Sequence, residues 1–533
     1  MKQEFNLLEE PWIRMRMPDC SVHEVSIRDA LRRAPEAAGL AGETKTQDFA
    51  VLRLLLAILY TVFTRYDPEG RKVCSEDLTE DDMLDLWQEI WQRKSFPSAP
   101  FDAYFAEWED RFWLFDETHP FGQCTTVSNR NMISTGKMIG SLFESGHKKR
   151  LFSGRTEEGR LLDYGESARW LLHLNCFDDT AAKDPVPKRT YVGPLRLIAL
   201  EGSSFFETLM LNFVVVSDHQ SYLSQPAWEQ DNNITEYNRI IPMPLNQAAL
   251  LTIPSRRVLL HRSENSGKVD GYMLSGGDYI VEKDVYAEQE TCWGTDQKKK
   301  QEPYHFFPKE LKRGDTVRKA WQEFGMIAAV DTKDETDQGK RAPGVIRWMK
   351  FLLSKEIISE SQMVQLSMAA VVYNSGQAAS YPVVDCVSDG LTFHSKLLMD
   401  AGYTWRLRIR EEIEKCDRVA KAIGDLYKEI QFAAGRRDKD NKTMLSGEED
   451  VMVRFYTEID RTIRDWLRNL DAQKEEDYVA DLEKPLRRKA LQLGSECMTQ
   501  AGSMTIFGEG ASSAKVYNDF LSKINRVFEK GGK

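Results

Sequence analysis

The sequence predicts an α+β protein, with a large mixed α/β domain at residues 1–390 followed by a four-helix bundle at residues 391–533. Two observations lead to this fold class. The first 390 residues mix short apolar runs with glycine- and proline-containing turns, and helical and β-like segments alternate without a regular βαβ rhythm. The remaining residues are rich in helix formers, with apolar side chains three and four positions apart.

The front domain begins with a β-like segment at residues 12–15 and then a helix capped by Thr46. That helix contains the most apolar stretch of the chain, residues 51–63. Arg53 interrupts the stretch, which is also too short to cross a bilayer, so we predict a core helix and no membrane span. The other predicted strands are, in chain order, residues 209–216, 257–260 and 272–281.

Four amphipathic stripes predict four helices in the tail. Their capping and breaking residues suggest a stop near Gly435, a start at Ser446, a kink or restart at Pro485 and a start at Ser512. Short polar loops join the helices, which favours a four-helix bundle. The alternative is an irregular helical cap on the front domain.

The composition restricts the class of protein. The 533 residues carry 72 Lys and Arg against 83 Asp and Glu, a net charge of −11, which excludes binding to DNA through bulk positive charge. Residues 1–390 carry 46 cations and 58 anions, whereas residues 391–533 carry 26 and 25. Any contact with nucleic acid must therefore come from local basic patches. The 55 aromatic residues exclude a disordered chain.

No pattern of catalytic residues is visible in the sequence. The eight histidines form no H-x-x-x-H or H-x-H pair, the eight cysteines form no C-x-x-C pair, and no G-x-S-x-G elbow occurs. We therefore predict no enzyme activity, no cofactor and no metal site. The thiols and the absence of a signal-peptide pattern predict reduced cysteines, mostly buried, in a cytoplasmic protein.

A short basic segment is the first candidate for binding nucleic acid. It contains Lys148, Lys149, Arg150 and Arg155, with Phe152 among them. The cations would neutralise phosphates and the aromatic ring could stack on a base or wedge between bases. The alternative is a solvated basic loop.

The second candidate is a segment of small residues around one long amide. Gln377 lies between Gly376 and Ala378, within residues 373–382. Small neighbours allow a backbone to approach a partner closely, while a glutamine amide can read base edges in the minor groove or push between base pairs. The alternative is an ordinary turn before a strand.

These segments belong to a chain that resembles the large subunit (CasA family) of Cascade, the type I-E CRISPR surveillance complex. The motifs that carry the resemblance occur in the family's order at residues 6–13, 39–42, 46–55, 119–123, 207–212, 225–229 and 376–378. The resemblance implies an α+β body followed by a four-helix bundle, which agrees with the fold class predicted from the patterns.

The resemblance also implies a role and a set of partners. The family's subunit scans double-stranded target DNA for the flanking motif (the PAM) from the minor groove, and starts strand separation so that the crRNA can pair. It works with the other Cascade subunits and helps to recruit a helicase–nuclease. In the family a glutamine wedge enters the duplex, and Gln377 falls at that place, with Gly376 and Ala378 beside it. Residues 148–155 fall at a mobile loop, with Phe152 near its aromatic position.

Two departures from the family pattern affect the site. Where the family often has a glycine-rich loop, residues 184–193 contain prolines and the pair Lys188 and Arg189, which we expect to contact phosphate instead. The family's lysine finger has no clear counterpart, and Lys283 is only a candidate. Two alternative functions stay open at this point, a purely architectural subunit of a ribonucleoprotein complex and a metal-dependent nuclease.

Overall fold

The computed structural model gives the chain thirteen α-helices and sixteen β-strands within the residues that it describes. Those residues are 3–127, 131–139, 161–178, 190–217, 221–231, 236, 239–263, 266–280, 287–295, 306–311, 318–330, 340–373, 382–435, 442–470, 475–501, 505–506 and 511–529. The mixture of helices and strands confirms the α+β class.

The helices lie in chain order from α1 to α13. Their bounds are α1 Ile27–Arg32, α2 Lys45–Phe63, α3 Glu80–Arg93, α4 Ser98–Trp108, α5 Tyr164–Phe177, α6 Phe205–Asn212, α7 Gln247–Leu251, α8 Phe324–Ile327, α9 Gly344–Ser354, α10 Tyr403–Ala433, α11 Lys442–Arg468, α12 Glu475–Gln500 and α13 Ser513–Phe528.

The strands are short and are distributed over several small sheets. Their bounds are β1 Glu4–Asn6, β2 Ile13–Arg16, β3 Val22–Val25, β4 Gly39–Leu40, β5 Trp113–Phe115, β6 Ile133–Ser134, β7 Leu197–Glu201, β8 Ile240–Ile241, β9 Arg256–Arg262, β10 Val269–Gly276, β11 Tyr279–Ile280, β12 Trp293–Thr295, β13 Phe306–Pro308, β14 Lys340–Arg341, β15 Met363–Tyr373 and β16 Pro382–His394. The described three-stranded sheets have the orders β3-β2-β4, β6-β10-β9, β13-β12-β14 and β16-β15-β7, and the described two-stranded pairs are β1-β5 and β11-β8.

The chain divides into two compact units. The first comprises Met1–Thr316, Ala329–Ile357 and Gln365–Gly390, and the second comprises Val317–Ala328, Ile358–Val364 and Leu391–Lys533. The second unit thus includes two short segments from before residue 390 as well as the whole tail.

Helix α2 forms the centre of the first unit. It contacts α4, α5, α6 and α7, and nearly all of its side chains are buried. The helix is long and apolar enough to cross a membrane, but 94% of its apolar window is buried inside the protein. Burial on all sides therefore explains why its sequence is apolar on every face.

The four long helices of the second unit pack on one another. α10 contacts α11, α12 and α13, and α12 contacts α11 and α13. α12 and α13 run antiparallel, because Gly494 packs on Phe520 and Arg487 donates to Asn525 at 2.7 Å. Pro485 lies within α12, which continues on both sides of it.

Two predicted helix starts and one predicted strand were wrong. The cap of α2 is Thr44, whose side chain accepts from the Gln47 amide, and not Thr46. The run at 209–216 is not a strand: Ser204 caps helix α6 across its first half, and local capping outweighed the β-like composition. α11 starts at Lys442, one turn before the predicted Ser446.

Candidate functional site

All of the predicted site residues lie outside the described part of the chain. They are Lys148, Lys149, Arg150, Phe152, Arg155, Lys188, Arg189, Gly376, Gln377 and Ala378, and the lysine-finger candidate Lys283 lies outside it as well. Their proposed roles stay predictions. The described residues that flank these segments nevertheless show where each segment leaves and rejoins the fold.

The segment with Gln377 connects two neighbouring strands. β15 ends at Tyr373 and β16 begins at Pro382, and the two strands are adjacent in one sheet. A Cβ atom on Gly390 would lie 2.9 Å from the carbonyl oxygen of Leu366, so the late part of β16 lies beside the early part of β15. The strands therefore run antiparallel, so the end of β15 and the start of β16 lie at the same end of the sheet.

Tyr373 fixes the end of β15 to the end of α5. Its side chain is 6% exposed, and its hydroxyl donates a hydrogen bond of 2.6 Å to the carbonyl oxygen of Phe177. Phe177 is the last residue of α5, and the segment with Lys188 and Arg189 begins two residues later. The hydrogen bond therefore brings together the starting points of two candidate segments.

The same end of α5 is also held from β9. The backbone amide of Arg256 donates to the Asn175 side chain at 3.3 Å, and the Arg256 Nε lies 3.5 Å from the carboxylate of Asp178. Arg256 is only 2% exposed. A cation at a helix C-terminus interacts favourably with the helix dipole, so this contact stabilises the last turn of α5.

The described residues on both sides of the basic segment pair with one strand, β10. Before the segment, β6 pairs with β10 through Ile133 opposite Tyr272. After the segment, Leu162 forms two backbone hydrogen bonds with Val269, of 2.9 and 2.8 Å. Since β10 also pairs with β9, the strand beside which this segment starts and ends is connected through β9 and α5 to Tyr373.

The segment containing Lys283 follows a buried ion cluster. Asp278, between β10 and β11, is 4% exposed and pairs with Arg239 at 2.7 Å and with Arg257 at 2.6 Å. Two guanidinium groups on one buried carboxylate fix the chain immediately before residues 281–286. The candidate segments thus arise from one connected framework of β10, β9, α5 and β15.

Two titratable groups in this framework, His173 and Cys176, are held in their uncharged forms. Burial lowers the pKa of His173 on α5 to about 3, so its imidazole is neutral, and it lies 3.0 Å from the Thr46 hydroxyl. Burial raises the pKa of Cys176 to about 11, so its thiol is protonated. Among the described residues, no group of three or more His, Cys, Asp or Glu side chains is placed to hold a metal ion.

The thiols differ from the prediction in their exposure. Among the described residues the cysteines form no disulfide; Cys124, Cys292, Cys416 and Cys497 are buried, Cys176 and Cys386 are of intermediate exposure, and Cys20 and Cys74 are exposed. The anchoring residues Arg256 and Asp178 were not recognised from the sequence either. A buried arginine and an aspartate at a helix end have no motif, because the two residues lie 78 positions apart in the sequence.

Replacing Tyr373 with phenylalanine tests the anchor between β15 and α5. The change removes one hydroxyl and leaves the Phe177 carbonyl without that donor, so we expect a loss of about 1–2 kcal/mol. Hydrogen–deuterium exchange should become faster in peptides covering residues 170–178 and 366–373. Tyr517→Phe is a matched control, since its hydroxyl forms no hydrogen bond within the described residues. Unchanged exchange in both peptides would show that the bond does not hold the two ends together.

Known proteins resemble this chain over nearly its whole length. The family model for CRISPR-associated protein Cse1 matches residues 6–493. The CRISPR-associated protein CasA/Cse1 of Thermus thermophilus is 30% identical over 236 residues, which are 43% of this chain and 42% of that protein. The aligned part of this chain therefore spans less than half the length of that curated relative.

Two solved structures extend the likeness of fold. The crystal structure of Thermobifida fusca Cse1 matches with a TM-score of 0.80 and 22% identity over 98% of both chains. A chain of a structure described as a CRISPR RNA-guided surveillance complex matches with a TM-score of 0.67 and 16% identity, covering 98% of this chain and 99% of that one. Together with the match of the family model to most of the sequence, they confirm the resemblance seen in the motifs: the chain belongs to the CRISPR-associated Cse1 family.

Proposed function

We propose that this chain is the non-catalytic large subunit of a crRNA-guided type I-E surveillance complex in the cytoplasm. In this role it recognises the PAM from the minor groove of double-stranded target DNA, initiates opening of the duplex and helps to recruit the helicase–nuclease. Membership of the Cse1 family and the likeness to a chain of an RNA-guided surveillance complex support this assignment.

The single observation that carries the DNA-binding part is the bond between Tyr373 and Phe177. It joins the strand that leads to Gln377 with the helix that leads to Lys188 and Arg189. Reading a duplex requires phosphate contacts that set the register and base contacts that carry the sequence information. The base-contacting segment and the phosphate-contacting segment both start at this buried hydrogen bond. A rigid support keeps the distance between them constant, which suits the reading of a duplex.

Each segment has a proposed task at the duplex. Gln377 enters the minor groove as the wedge, and Gly376 and Ala378 allow the backbone to come close to the bases. Lys188 and Arg189 neutralise phosphates. The degenerate pattern of acceptors in the minor groove means that such a reader accepts several related motifs. Unstacking of bases costs a few kcal/mol, which the pairing of crRNA with the target strand offsets.

The helices α10 to α13 form a four-helix bundle in this proposal and supply a surface for other Cascade subunits. Mutual packing of the four helices supports the bundle. Residues 391–533 carry nearly equal numbers of cations and anions, so this part of the chain has no bulk charge to direct it toward DNA. We therefore assign guide-complex assembly to the tail and motif reading to the first unit.

Reconstitution with crRNA and a library of targets with randomised flanking bases tests the proposal. The fluorescence of 2-aminopurine at the first paired positions reports opening of the duplex. Opening should depend on the flanking bases only when this chain is present. A complex that assembles and opens all targets equally would identify a purely architectural subunit. Metal-dependent cleavage of DNA by the purified chain would identify a nuclease.

Removing cations from the basic segment should weaken the salt dependence of DNA binding. For Lys148→Gln, Lys149→Gln or Arg150→Gln, we expect the slope of log affinity against log salt to fall by about one for each lost phosphate contact. Arg71→Gln is the control, because Arg71 is exposed and already paired with Asp67. A slope equal to that of the unmodified protein would identify a solvated loop at residues 148–150.

A further inference from the structure

A buried ion cluster lies inside the first unit. Arg53 is near the middle of α2, and its two partners, Glu288 and Glu290, lie in the segment 287–295. All three residues are at most 2% exposed. Two nitrogens of the guanidinium donate to the two oxygens of Glu288, both at 3.1 Å, and the guanidinium also donates to Glu290. We call these three residues the Arg53 cluster.

The Arg53 cluster is an expensive way to fill the interior. Two carboxylates share one cation, and among the described residues the Oε1 atom of Glu290 and the Nε atom of Arg53 have no hydrogen-bond partner. Apolar residues of similar volume often stabilise a protein as well as a buried ion cluster does, because the ions must be stripped of water. A need for stability therefore does not explain the cluster, whereas a need for fixed geometry does.

The Arg53 cluster lies beside both attachment points of the segment with Lys188 and Arg189. The side chains of Cys176, on α5, and Tyr191 are near enough to Arg53 to interact with it electrostatically. The described chain stops two residues after Cys176, at residue 178, and resumes at residue 190, directly before Tyr191. The cluster is thus in contact with the fold where this segment starts and where it ends.

Two further candidate segments adjoin the Arg53 cluster. The described chain resumes at residue 287 after the segment with Lys283, so Glu288 is the second residue of the returning chain. On another side, Phe177 follows Cys176 and accepts the hydrogen bond from Tyr373, the residue that leads to the segment with Gln377.

A second route connects the Arg53 cluster to the strand before Gln377. The backbone amide of Ile198, on β7, donates to the carbonyl oxygen of Glu290 at 2.7 Å. Ile198 also lies opposite Met368 in the antiparallel pair of β7 and β15. Because β15 is held through β7 and through α5, a shift of the cluster would reach its end by both routes.

Given the proposed function, on which this inference rests, we propose that Arg53, Glu288 and Glu290 are positioning residues for the reading of the flanking motif. They hold the phosphate-contacting and base-contacting segments at a fixed separation and do not touch DNA themselves. A bidentate guanidinium–carboxylate pair fixes direction as well as distance. Binding groups must be held within about 0.5 Å of their productive geometry, so discrimination between flanking motifs depends on this support.

A charge-free triple variant tests the positioning role. It combines Arg53→Met with Glu288→Gln and Glu290→Gln, which keeps similar volumes and leaves no buried charge unpaired, so we expect it to fold and to assemble with crRNA. The measurement is the ratio of duplex-opening rates on the best and the poorest flanking motifs of the randomised library. We expect this ratio to fall by about fivefold or more, the contribution of one good base contact. A stable triple variant with an unchanged ratio would overturn the proposal.

Arg53→Lys decides the question if the triple variant does not assemble. Lysine keeps a cation beside the two buried acids, but it lacks the planar fork that holds both of them in one geometry. We expect the ratio of opening rates to fall by about twofold or more in this variant. A ratio equal to that of the unmodified protein would then contradict the positioning role.

Arg65→Met is the matched control for loss of stability. Arg65 follows α2 in the same unit, pairs with Glu229 at 2.7 Å and donates to the Ser224 carbonyl at 2.6 Å, and none of these residues adjoins a predicted DNA contact. It should lower the melting temperature and leave the ratio unchanged. An equal fall of the ratio in the control would assign the effect to general destabilisation. Equal opening of all targets by the unmodified complex would instead contradict the proposed function itself.

Discussion

Replacing Arg53 with methionine should lower the free energy of unfolding by about 3–5 kcal/mol, the largest effect on stability that we expect from a single substitution in this protein. Arg53 is 1% exposed, and its guanidinium donates to Glu288 at 3.1 Å and also to Glu290. Both carboxylates are buried as well. Methionine fills a similar volume but leaves two buried acids without their cation.

The dependence of this effect on pH follows from the state of Glu290. Burial raises the pKa of Glu290 from 4.5 to about 7, although Arg53 opposes the shift. A carboxyl with a raised pKa in the folded protein stabilises the fold below its unfolded pKa, and this stability is lost as the pH rises through the folded pKa. Without Arg53 the pKa rises further. We therefore expect the stability gap between Arg53→Met and the unmodified protein to be wider at about pH 8 than at about pH 5.5.

Urea unfolding at the two pH values measures this gap. The variant that combines Arg53→Met with Glu288→Gln and Glu290→Gln should recover much of the lost stability, because it removes the uncompensated charges. Arg71→Met is a control, since Arg71 is exposed and its loss leaves no buried acid. An equal loss in Arg53→Met and the triple variant would show that packing, and not charge, is what Arg53 contributes.

The second large effect is on function: Gln377→Ala should slow opening of the target duplex by about tenfold or more while the complex still assembles. In the proposed function, Gln377 acts through contacts made when bases unstack, and each unstacking step costs a few kcal/mol. Alanine keeps the small-residue character of the segment and removes only the amide. The measurement is the rate of 2-aminopurine fluorescence increase on target binding, with assembly followed by size-exclusion chromatography.

Gln365→Ala is the matched control for the wedge. Gln365 lies on β15, the strand that precedes the segment with Gln377, and its exposed side chain donates to Glu201 at 3.1 Å. We expect this variant to open targets at the normal rate. If Gln377→Ala opens targets as fast as the control does, then duplex opening does not depend on this amide, and the chain acts as an architectural subunit.

Patterns local in sequence predicted the helices and the class of fold well. The cap at Ser512 and the stop near Gly435 agree with α13 and α10, because capping and periodicity depend on residues a few positions apart. Errors occurred where two local signals competed. The run at 209–216 has a β-like composition, but Ser204 starts a helix there, and the helix packs on α2.

The sequence by itself determined the family, the amphipathic helices and the absence of bulk positive charge, since each of these depends on residue types and short spacings. Only the tertiary structure decided which distant groups meet. Arg53 finds its partners 235 and 237 positions later, and Tyr373 finds Phe177 196 positions earlier. Such pairings follow from how the whole chain excludes water from its core, and no short stretch of sequence contains that information.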